Sequence, residues 1–194
     1  MNKLSPEDLY SLERYAKERA AIRTSVLEHK RDRQLPVGPH ATWLFEDRIT
    51  VQYQVQEMLR TERIFEPEGI ADELSAYNPL IPDGRNWKVT LLIEFPDVAQ
   101  RQRELAQLKG VEARCWVQIG ARGRVFALAD EDLDRENDEK TSAVHFLRFE
   151  LTPEMIAELR SGAALGIGID HEHYRHAVPE VRDAVRKSLL ADLA

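Results

Sequence analysis

The segment "WKVTLLIEF", residues 87–95, decides the fold class, because there the helical pattern of the first half gives way to a period of two. One face of the alternation carries Trp87, Val89, Leu91, Ile93 and Phe95. The other face carries Lys88, Thr90, Leu92 and Glu94. A period of two is typical of a β-strand with one buried face. The segment therefore predicts a sheet in the second half of the chain.

The part before this strand, residues 1–78, has helical patterns. Residues 5–30 open with "SPED", a capped helix start, and predict one long helix or two. After the breaker "LPVGPH" at 35–40, an apolar stripe at helical spacing runs through 47–65. A shorter helix is predicted at 67–77, before a loop rich in proline.

After residue 87, helices and strands alternate. Strands are predicted at 111–119, 124–129, 143–151 and 164–170, and helices at 97–109, from Thr152–Pro153 onward and at 179–193. This order predicts an α+β fold, in which a helical N-terminal half packs on a roughly five-stranded, partly antiparallel (mixed) sheet with a C-terminal helix. We expect a single domain over 1–194, with a helical part at 1–78 and a sheet-containing part at 87–194.

Composition and charge narrow the class of protein. The chain has 194 residues and a formal net charge of −7, which argues against a nucleic-acid partner or an anionic membrane surface. It has neither the roughly 18 consecutive apolar residues of a membrane span nor the apolar region of a signal peptide, so a cytoplasmic protein is expected. The charged segment 130–140 is expected to be a solvated loop or a frayed helix.

Cys115 is the only cysteine, which excludes an internal disulfide and an iron–sulfur cluster held by thiolates of this chain. It alternates with apolar residues, so a buried and unreactive thiol is expected. Arg114 points to the opposite face of the same predicted strand.

Glu62 is the most informative polar residue of the helical part. It follows Val51 by eleven residues, and at about 100° per residue it falls within roughly 20° of Val51 on the helix. We therefore expect a mostly buried carboxylate paired with Arg19 or Arg23, although the apolar stripe could also end before Glu62. The functional alternative makes Glu57, Arg60, Glu62 and Arg63 one wall of a polar cavity.

The segment "DHEHYRHAVPE", residues 170–180, contains three of the six histidines. His171 and His173 could chelate a metal if the preceding strand continued through both of them. A third ligand on the same face is missing, and His176 would need a turn that the sequence does not enforce. We therefore expect a surface loop without a tightly bound metal, with iron or zinc as the alternative.

His145 differs from these, because it alternates with Ala143, Leu147 and Phe149 in a predicted strand. A hydrogen-bonded core histidine is expected. The alternative is a ligand or general base that faces Glu62.

Three segments, "LFEDRITVQYQVQEMLRTERI", "YNPLIPDGRNWKVTLLIEFPD" and "EKTSAVHFLRFEL", resemble an uncharacterised bacterial family known as domain of unknown function 3501. The resemblance covers nearly the whole chain and assigns no catalytic residue or cofactor. Relatives are often encoded near rubrerythrin-like peroxide-reducing proteins and iron–sulfur oxidoreductase subunits. The resemblance therefore implies a redox or iron context, by association alone.

Two functions follow as hypotheses. The first is a non-enzymatic accessory or interaction protein with a protein partner in a redox or iron (peroxide-stress) pathway. The second is a small metal-dependent or acid/base enzyme whose cavity uses Glu57, Arg60, Glu62 and His145. A homodimer is also expected, through the C-terminal stripe of Val181, Val185, Leu189 and Leu193.

Overall fold

The computed structural model describes residues 2–129, 131 and 140–194. Within these residues the α-helices are α1 (Leu12–Lys30), α2 (Arg48–Glu62), α3 (Pro67–Tyr77), α4 (Val98–Gln107), α5 (Pro153–Arg160) and α6 (Asp183–Leu190). The strands are β1 (Gln34–Pro36), β2 (Ala41–Glu46), β3 (Asn86–Ile93), β4 (Cys115–Ile119), β5 (Val125–Phe126), β6 (Leu128–Ala129), β7 (Val144–Glu150), β8 (Leu165–His171) and β9 (Tyr174–Val178). Most of the charged segment 130–140 lies outside the described residues.

The α+β class and the C-terminal helix are confirmed, but the strands form two sheets instead of one. Sheet A has the order β1-β2-β3-β7-β6 and sheet B the order β5-β4-β8-β9. Every strand pairing among the described residues is antiparallel. The fold is therefore a two-sheet structure with helices at its faces and ends.

Two strands of sheet A, β1 and β2, were not predicted from the sequence. They form a hairpin around residues 35–40, which the sequence indicated only as a break between helices. Pro36 ends β1, an edge strand, where a missing backbone N–H removes no ladder bond that the sheet needs. Gly38 has φ 79°, a left-handed conformation that glycine adopts without strain. The chain thus reverses between β1 and β2, and β2 then pairs with β3 along its whole length.

The main apolar core lies between the two sheets. The alternation that begins at Trp87 directs Val89 and Leu91 of β3 into this core, where they join Val117 of β4 and Ile167 of β8. The indole Nε1 of Trp87 donates a hydrogen bond to the carbonyl of Leu189 (3.0 Å), which ties α6 to the sheet.

The C-terminal stripe belongs to this same core. Val181, Val185, Leu189 and Leu193 are all buried in it. The prediction that this stripe forms a dimer contact is wrong, because its side chains already pack inside their own chain. The dimer itself stays a prediction.

A second apolar cluster lies on the other side of sheet A. It is formed by Leu4, Val51, Val55, Leu59, Leu74 and Ile81, from the N-terminus, α2, α3 and the loop before β3. The hydroxyls of Thr50 and Thr90 donate to the two carboxylate oxygens of Glu46, at 2.5 and 2.6 Å. Because Thr90 alternates with the core residues of β3, these bonds fix α2 on the face of sheet A that points away from the main core.

The N-terminal segment resolves into two helical pieces. Ser5 and Asp8 form the predicted capping box, but around a short 3-10 turn (Pro6–Asp8). The long helix α1 begins only after Ser11, whose hydroxyl accepts from the backbone N–H of Arg14 (3.2 Å). Among the residues that the structure describes, no helix is both long and apolar enough to cross a membrane.

Among the residues that the structure describes, Arg33 is the most deeply buried Arg, Lys, Asp or Glu side chain, with 1% of its surface exposed. Its guanidinium donates to the carbonyls of Phe45 (2.9 Å), Glu46 (3.1 Å) and Ser188 (3.2 Å), and it forms an ion pair with Asp192. Burial raises the pKa of Asp192 to about 6, although the charge of Arg33 opposes this shift. One side chain thus connects the end of α1 to β2 and to the C-terminal helix.

The network extends to the start of α2 through Asp47. Its carboxylate caps the helix by accepting from the backbone N–H groups of Ile49 (3.0 Å) and Thr50 (2.9 Å). It also lies 2.5 Å from Nε2 of His29 and 3.4 Å from Nε of Arg33. The end of α1, the junction of β2 with α2, and the C-terminal helix therefore meet at Arg33 and Asp47.

Arg33→Met should destabilise the fold by about 3–5 kcal/mol, because it leaves the buried carboxylate of Asp192 without its cation. Urea unfolding at pH 7 measures this loss. Arg23→Met is the matched control, since Arg23 is exposed on α1, and it should change stability by less than about 0.5 kcal/mol. Equal stability of the two variants would contradict the role given to Arg33.

Candidate functional site

The predicted polar wall on α2 is only partly formed. The prediction that Glu62 is buried and paired with arginine is wrong, because α2 ends at Glu62 and its side chain is exposed. Arg63 follows with φ 57°, so the apolar stripe cannot continue past this point. The carboxylate that pairs with Arg19 is that of Glu57, at 2.8 Å.

Glu57 holds α1 and α2 together. Both of its oxygens accept from Arg19 (2.8 Å each), and one also accepts from the hydroxyl of Tyr15 (2.6 Å). Arg60 contacts the same carboxylate more loosely, at 3.4 Å. The guanidinium of Arg19, more than any other group, lowers the pKa of Glu57 to about 2. These contacts describe a helix-to-helix clamp at the protein surface.

His145 is the buried, hydrogen-bonded core histidine that the alternation predicts. It is fully buried, and its Nε2 lies 3.0 Å from both the hydroxyl of Thr141 and the carbonyl of Ser142. It is in register with Leu91, so it faces the main core, whereas Glu57 contacts α1 on the other side of sheet A. The structure does not bring Glu57, Arg60 and Glu62 together with His145.

The histidine segment is a hairpin, so the prediction of a surface loop at 170–180 is wrong. His171 ends β8 and is buried, and its Nε2 lies 3.0 Å from the carbonyl of Lys109. His173 sits in the turn and donates its backbone N–H to Nδ1 of His171 (3.2 Å). His176 lies in β9, where its ring packs on Tyr174 at 4.6 Å between centroids.

This arrangement spreads the three imidazoles over a strand end, a turn and a second strand. Within the described part of the chain, no group of three or more His, Cys, Asp or Glu side chains could hold a metal ion. Whether purified protein retains a metal stays a prediction. Cys115 is buried as expected, and burial raises the pKa of its thiol well above the ordinary value.

The outer face of sheet B carries an arrangement of charged and aromatic groups that the sequence did not indicate. Arg124 stacks over the ring of Trp116, with its guanidinium carbon 4.1 Å from the ring centroid, and forms an ion pair with Asp170 at 3.0 Å. Arg175 lies 3.5 Å from the same carboxylate, and Nε of Arg114 donates to the carbonyl of Asp170 (2.9 Å). We call Arg114, Arg124, Arg175, Asp170 and Trp116 the arginine face.

Glycine makes room for the tryptophan of the arginine face. Trp116 pairs with Gly168 across β4 and β8. A Cβ atom at Gly168 would lie only 2.4 Å from the indole ring, so a larger residue would displace the ring. The ring therefore lies flat on the sheet and offers its outer surface to Arg124.

The arginine face has an excess of positive charge. Arg124 and Arg175 lie beside the carboxylate of Asp170, and Arg114 contacts its backbone carbonyl. Three guanidinium groups and one carboxylate leave two formal positive charges among these residues, counted as three minus one. The Asp170 and Arg175 side chains are 37% and 72% exposed, so the cluster is open to solvent. A local positive field on a chain of net charge −7 favours an acidic binding partner at this place.

The face is bounded by a free strand edge. β9 is the last strand of sheet B and has no further strand beside it among the described residues. Arg175 and Ala177 of β9 pair with Asp170 and Gly168, so both belong to the outer face. An exposed edge of this kind can pair with an extended segment of another chain.

Part of the arginine face was accessible from the sequence. Alternation around Cys115 placed Arg114 on the opposite face of its strand. Arg124 lies directly before β5 and Arg175 lies in β9, and only the pairing of β4 with β5 and β8 and of β8 with β9 brings them to Asp170.

These features define an α+β protein of two antiparallel sheets with a cationic, tryptophan-centred sheet face. The chain belongs to the family described as protein of unknown function (DUF3501), whose model matches residues 3–193. It is similar to a protein of unknown function from Burkholderia pseudomallei, known from a crystal structure, with 47% sequence identity and a TM-score of 0.95 over 100% of both chains. No curated protein matches the chain.

Glu57→Gln should lower the free energy of unfolding by about 1–2 kcal/mol at pH 7, because it removes the charged partner of Arg19. The folded pKa of Glu57, about 2, lies below its ordinary value of 4.5, so this stabilisation is complete above pH 4.5 and is lost as the pH falls toward 2. Urea unfolding at pH 7 and pH 3 should show a smaller pH-dependent loss in the variant.

Glu62→Gln is the control for this measurement, since it makes the same chemical change five residues further along, at the exposed end of α2. It should leave stability unchanged at both pH values. A larger effect of Glu62→Gln than of Glu57→Gln would refute the assignment.

Proposed function

We propose that this chain is a non-enzymatic interaction protein that binds an acidic, extended segment of a partner protein on its arginine face. The observation that carries the proposal is the clustering of three arginines at Asp170: Arg124 and Arg175 face its carboxylate, and Arg114 donates to its backbone carbonyl. The guanidinium of Arg124 also stacks on Trp116. Trp116 is buried beneath Arg124, so the arginines are the groups that would contact a partner. Arginine is enriched among the residues that dominate binding energy at protein interfaces. Trp116, Asp170 and Arg175 lie on strands of sheet B, and Arg114 and Arg124 lie directly before β4 and β5. The sheet therefore holds the face in place before binding.

The free edge of β9 explains why the partner segment should be extended. A strand added beside β9 would gain main-chain hydrogen bonds and would run next to Arg175 and Ala177. Acidic side chains on the segment would then meet Arg175 and, across the face, Arg124. Main-chain pairing supplies affinity in this mode, and the charges supply specificity.

Nucleic acid fits this face less well than an acidic peptide. Two uncompensated positive charges are few compared with the six to ten phosphate contacts of a typical DNA-binding protein. The net charge of −7 would repel a long polyanion from the rest of the surface, whereas a short segment experiences mainly the local field.

The first test uses fluorescence anisotropy of a labelled peptide of alternating glutamate and threonine. The wild-type chain should bind it, and the double variant Arg124→Glu, Arg175→Glu should bind at least tenfold more weakly because both attractive charges are reversed. Raising the salt concentration should weaken wild-type binding.

The matched control is the double variant Lys17→Glu, Arg23→Glu, which makes the same change of charge at exposed positions of α1. Its affinity should stay within twofold of wild type. The proposal fails if the Arg124, Arg175 double variant binds the glutamate peptide as well as wild type does, or if a lysine–threonine peptide binds equally well. If single-stranded DNA binds more tightly than the glutamate peptide, and the Arg124, Arg175 double variant loses this binding, the partner is a nucleic acid and not an acidic peptide.

We propose further that the partner belongs to the redox or iron pathway that the family resemblance implies. It is tested by placing a photo-crosslinking amino acid at Ala177, which is exposed beside the arginine face, and identifying the proteins crosslinked in the source cells. We expect an iron or redox protein with an acidic segment. Crosslinks only to proteins outside these pathways would refute the pathway assignment. The binding of an acidic segment would still be decided by the peptide experiment.

A further inference from the structure

A cleft of about 260 Å³ lies on the outer face of sheet A, on the opposite side of the molecule's main core from the arginine face. Its apolar lining consists of Ala76, Pro79, Leu80, Phe146 and Leu147. Its charged lining consists of Lys88, Arg148 and Glu131. The cleft therefore combines an apolar wall from α3 and the turn after it with a charged floor from β3 and β7.

Two cations face each other across the floor of this cleft. Lys88 and Arg148 are direct neighbours in the register of β3 and β7. Like charges in this position are destabilising unless anions compensate for them. Arg148 is compensated, since Glu131 accepts from it with both oxygens (2.7 and 2.6 Å) and Glu150 forms a second ion pair.

Among the described residues, no anion contacts Lys88 directly in this way. No hydrogen bond or ion pair joins its ammonium to any described residue, although the side chain is half-buried. The lysine nearby, Lys3, is satisfied by the carbonyls of Asn78 (2.9 Å) and Ile81 (2.8 Å). Burial and the charge of Arg148 lower the pKa of Lys88, while Glu131 and Asp83 oppose this shift and Lys3 adds to it.

A half-buried ammonium carries three hydrogen-bond donors, so it is stabilised by an anionic acceptor that enters the cleft. The volume of the cleft suits a small organic molecule. The apolar wall beside Lys88 favours a ligand that has an apolar chain next to its charged group.

We propose that this cleft is a binding site for a small monocarboxylate with an apolar chain, whose carboxylate pairs with Lys88 and whose chain packs on Leu80 and Phe146. The site does not rest on the proposed peptide interaction, because it uses different residues on a different sheet.

The experiment titrates hexanoate into ¹⁵N-labelled protein and follows the backbone amide signals by NMR. The amides of Lys88 and Arg148 should shift saturably. Lys88→Met, which keeps the length and removes the charge, should weaken binding at least tenfold. Ala76→Leu keeps Lys88 and narrows the cleft at an exposed position, so it should weaken binding of hexanoate too.

Lys17→Met is the matched control, since Lys17 is exposed on α1, and it should bind hexanoate as wild type does. Hexan-1-ol, acetate and inorganic phosphate should each bind at least tenfold more weakly, because each lacks either the charge or the apolar chain. The proposal is overturned if hexanoate shows no saturable shift at Lys88, if Lys88→Met binds it unchanged, or if phosphate binds better than hexanoate. None of these results depends on the glutamate peptide.

Discussion

The buried guanidinium of Arg33 is the constraint on which the arrangement of the helices around sheet A depends. It contacts three backbone carbonyls and the carboxylate of Asp192, and these acceptors come from β2, α6 and the residues after α6. A planar group with fixed donor directions satisfies all of them in only one geometry. Replacing both Arg33 and Asp192 by apolar side chains of similar volume could give equal stability, but the apolar pair would not specify the same positions. Arg33 therefore determines the relative positions of these segments at least as much as it stabilises the fold.

Local patterns predicted those elements that local interactions determine. The helix at 67–77 and the strand that begins near Trp87 follow from spacing alone, and both appear where expected. The hairpin of β1 and β2 was missed, because Pro36 and Gly38 give the same signal in an edge hairpin and in a loop. The division into two sheets depends on which strands pair, and a single strand's alternation does not encode its neighbours.

The candidate sites show the same limit more strongly. Extrapolating the stripe of α2 by eleven residues selected Glu62, but the helix ends there and its side chain is exposed. Glu57 was identified as a candidate, yet its actual partners, Tyr15 and Arg19, depend on how α1 crosses α2. The arginine face combines residues from four segments of the chain. Sequence patterns identified residues with unusual environments, while only tertiary pairing determined which of them meet.

Both proposed sites are carried by strands that share the main core. Lys88 follows Trp87 and precedes Val89, whose side chains enter this core, and Trp116 is flanked in the same way by Cys115 and Val117. Close-packed interiors resist small displacements. Neither the strands under the arginine face nor those under the cleft can therefore shift without repacking the residues between the sheets. Sites on rigid strands are preformed, which lowers the entropy cost of binding. The two-sheet core therefore determines the geometry of both surfaces, and their different chemistry comes from the alternate residues that point away from it.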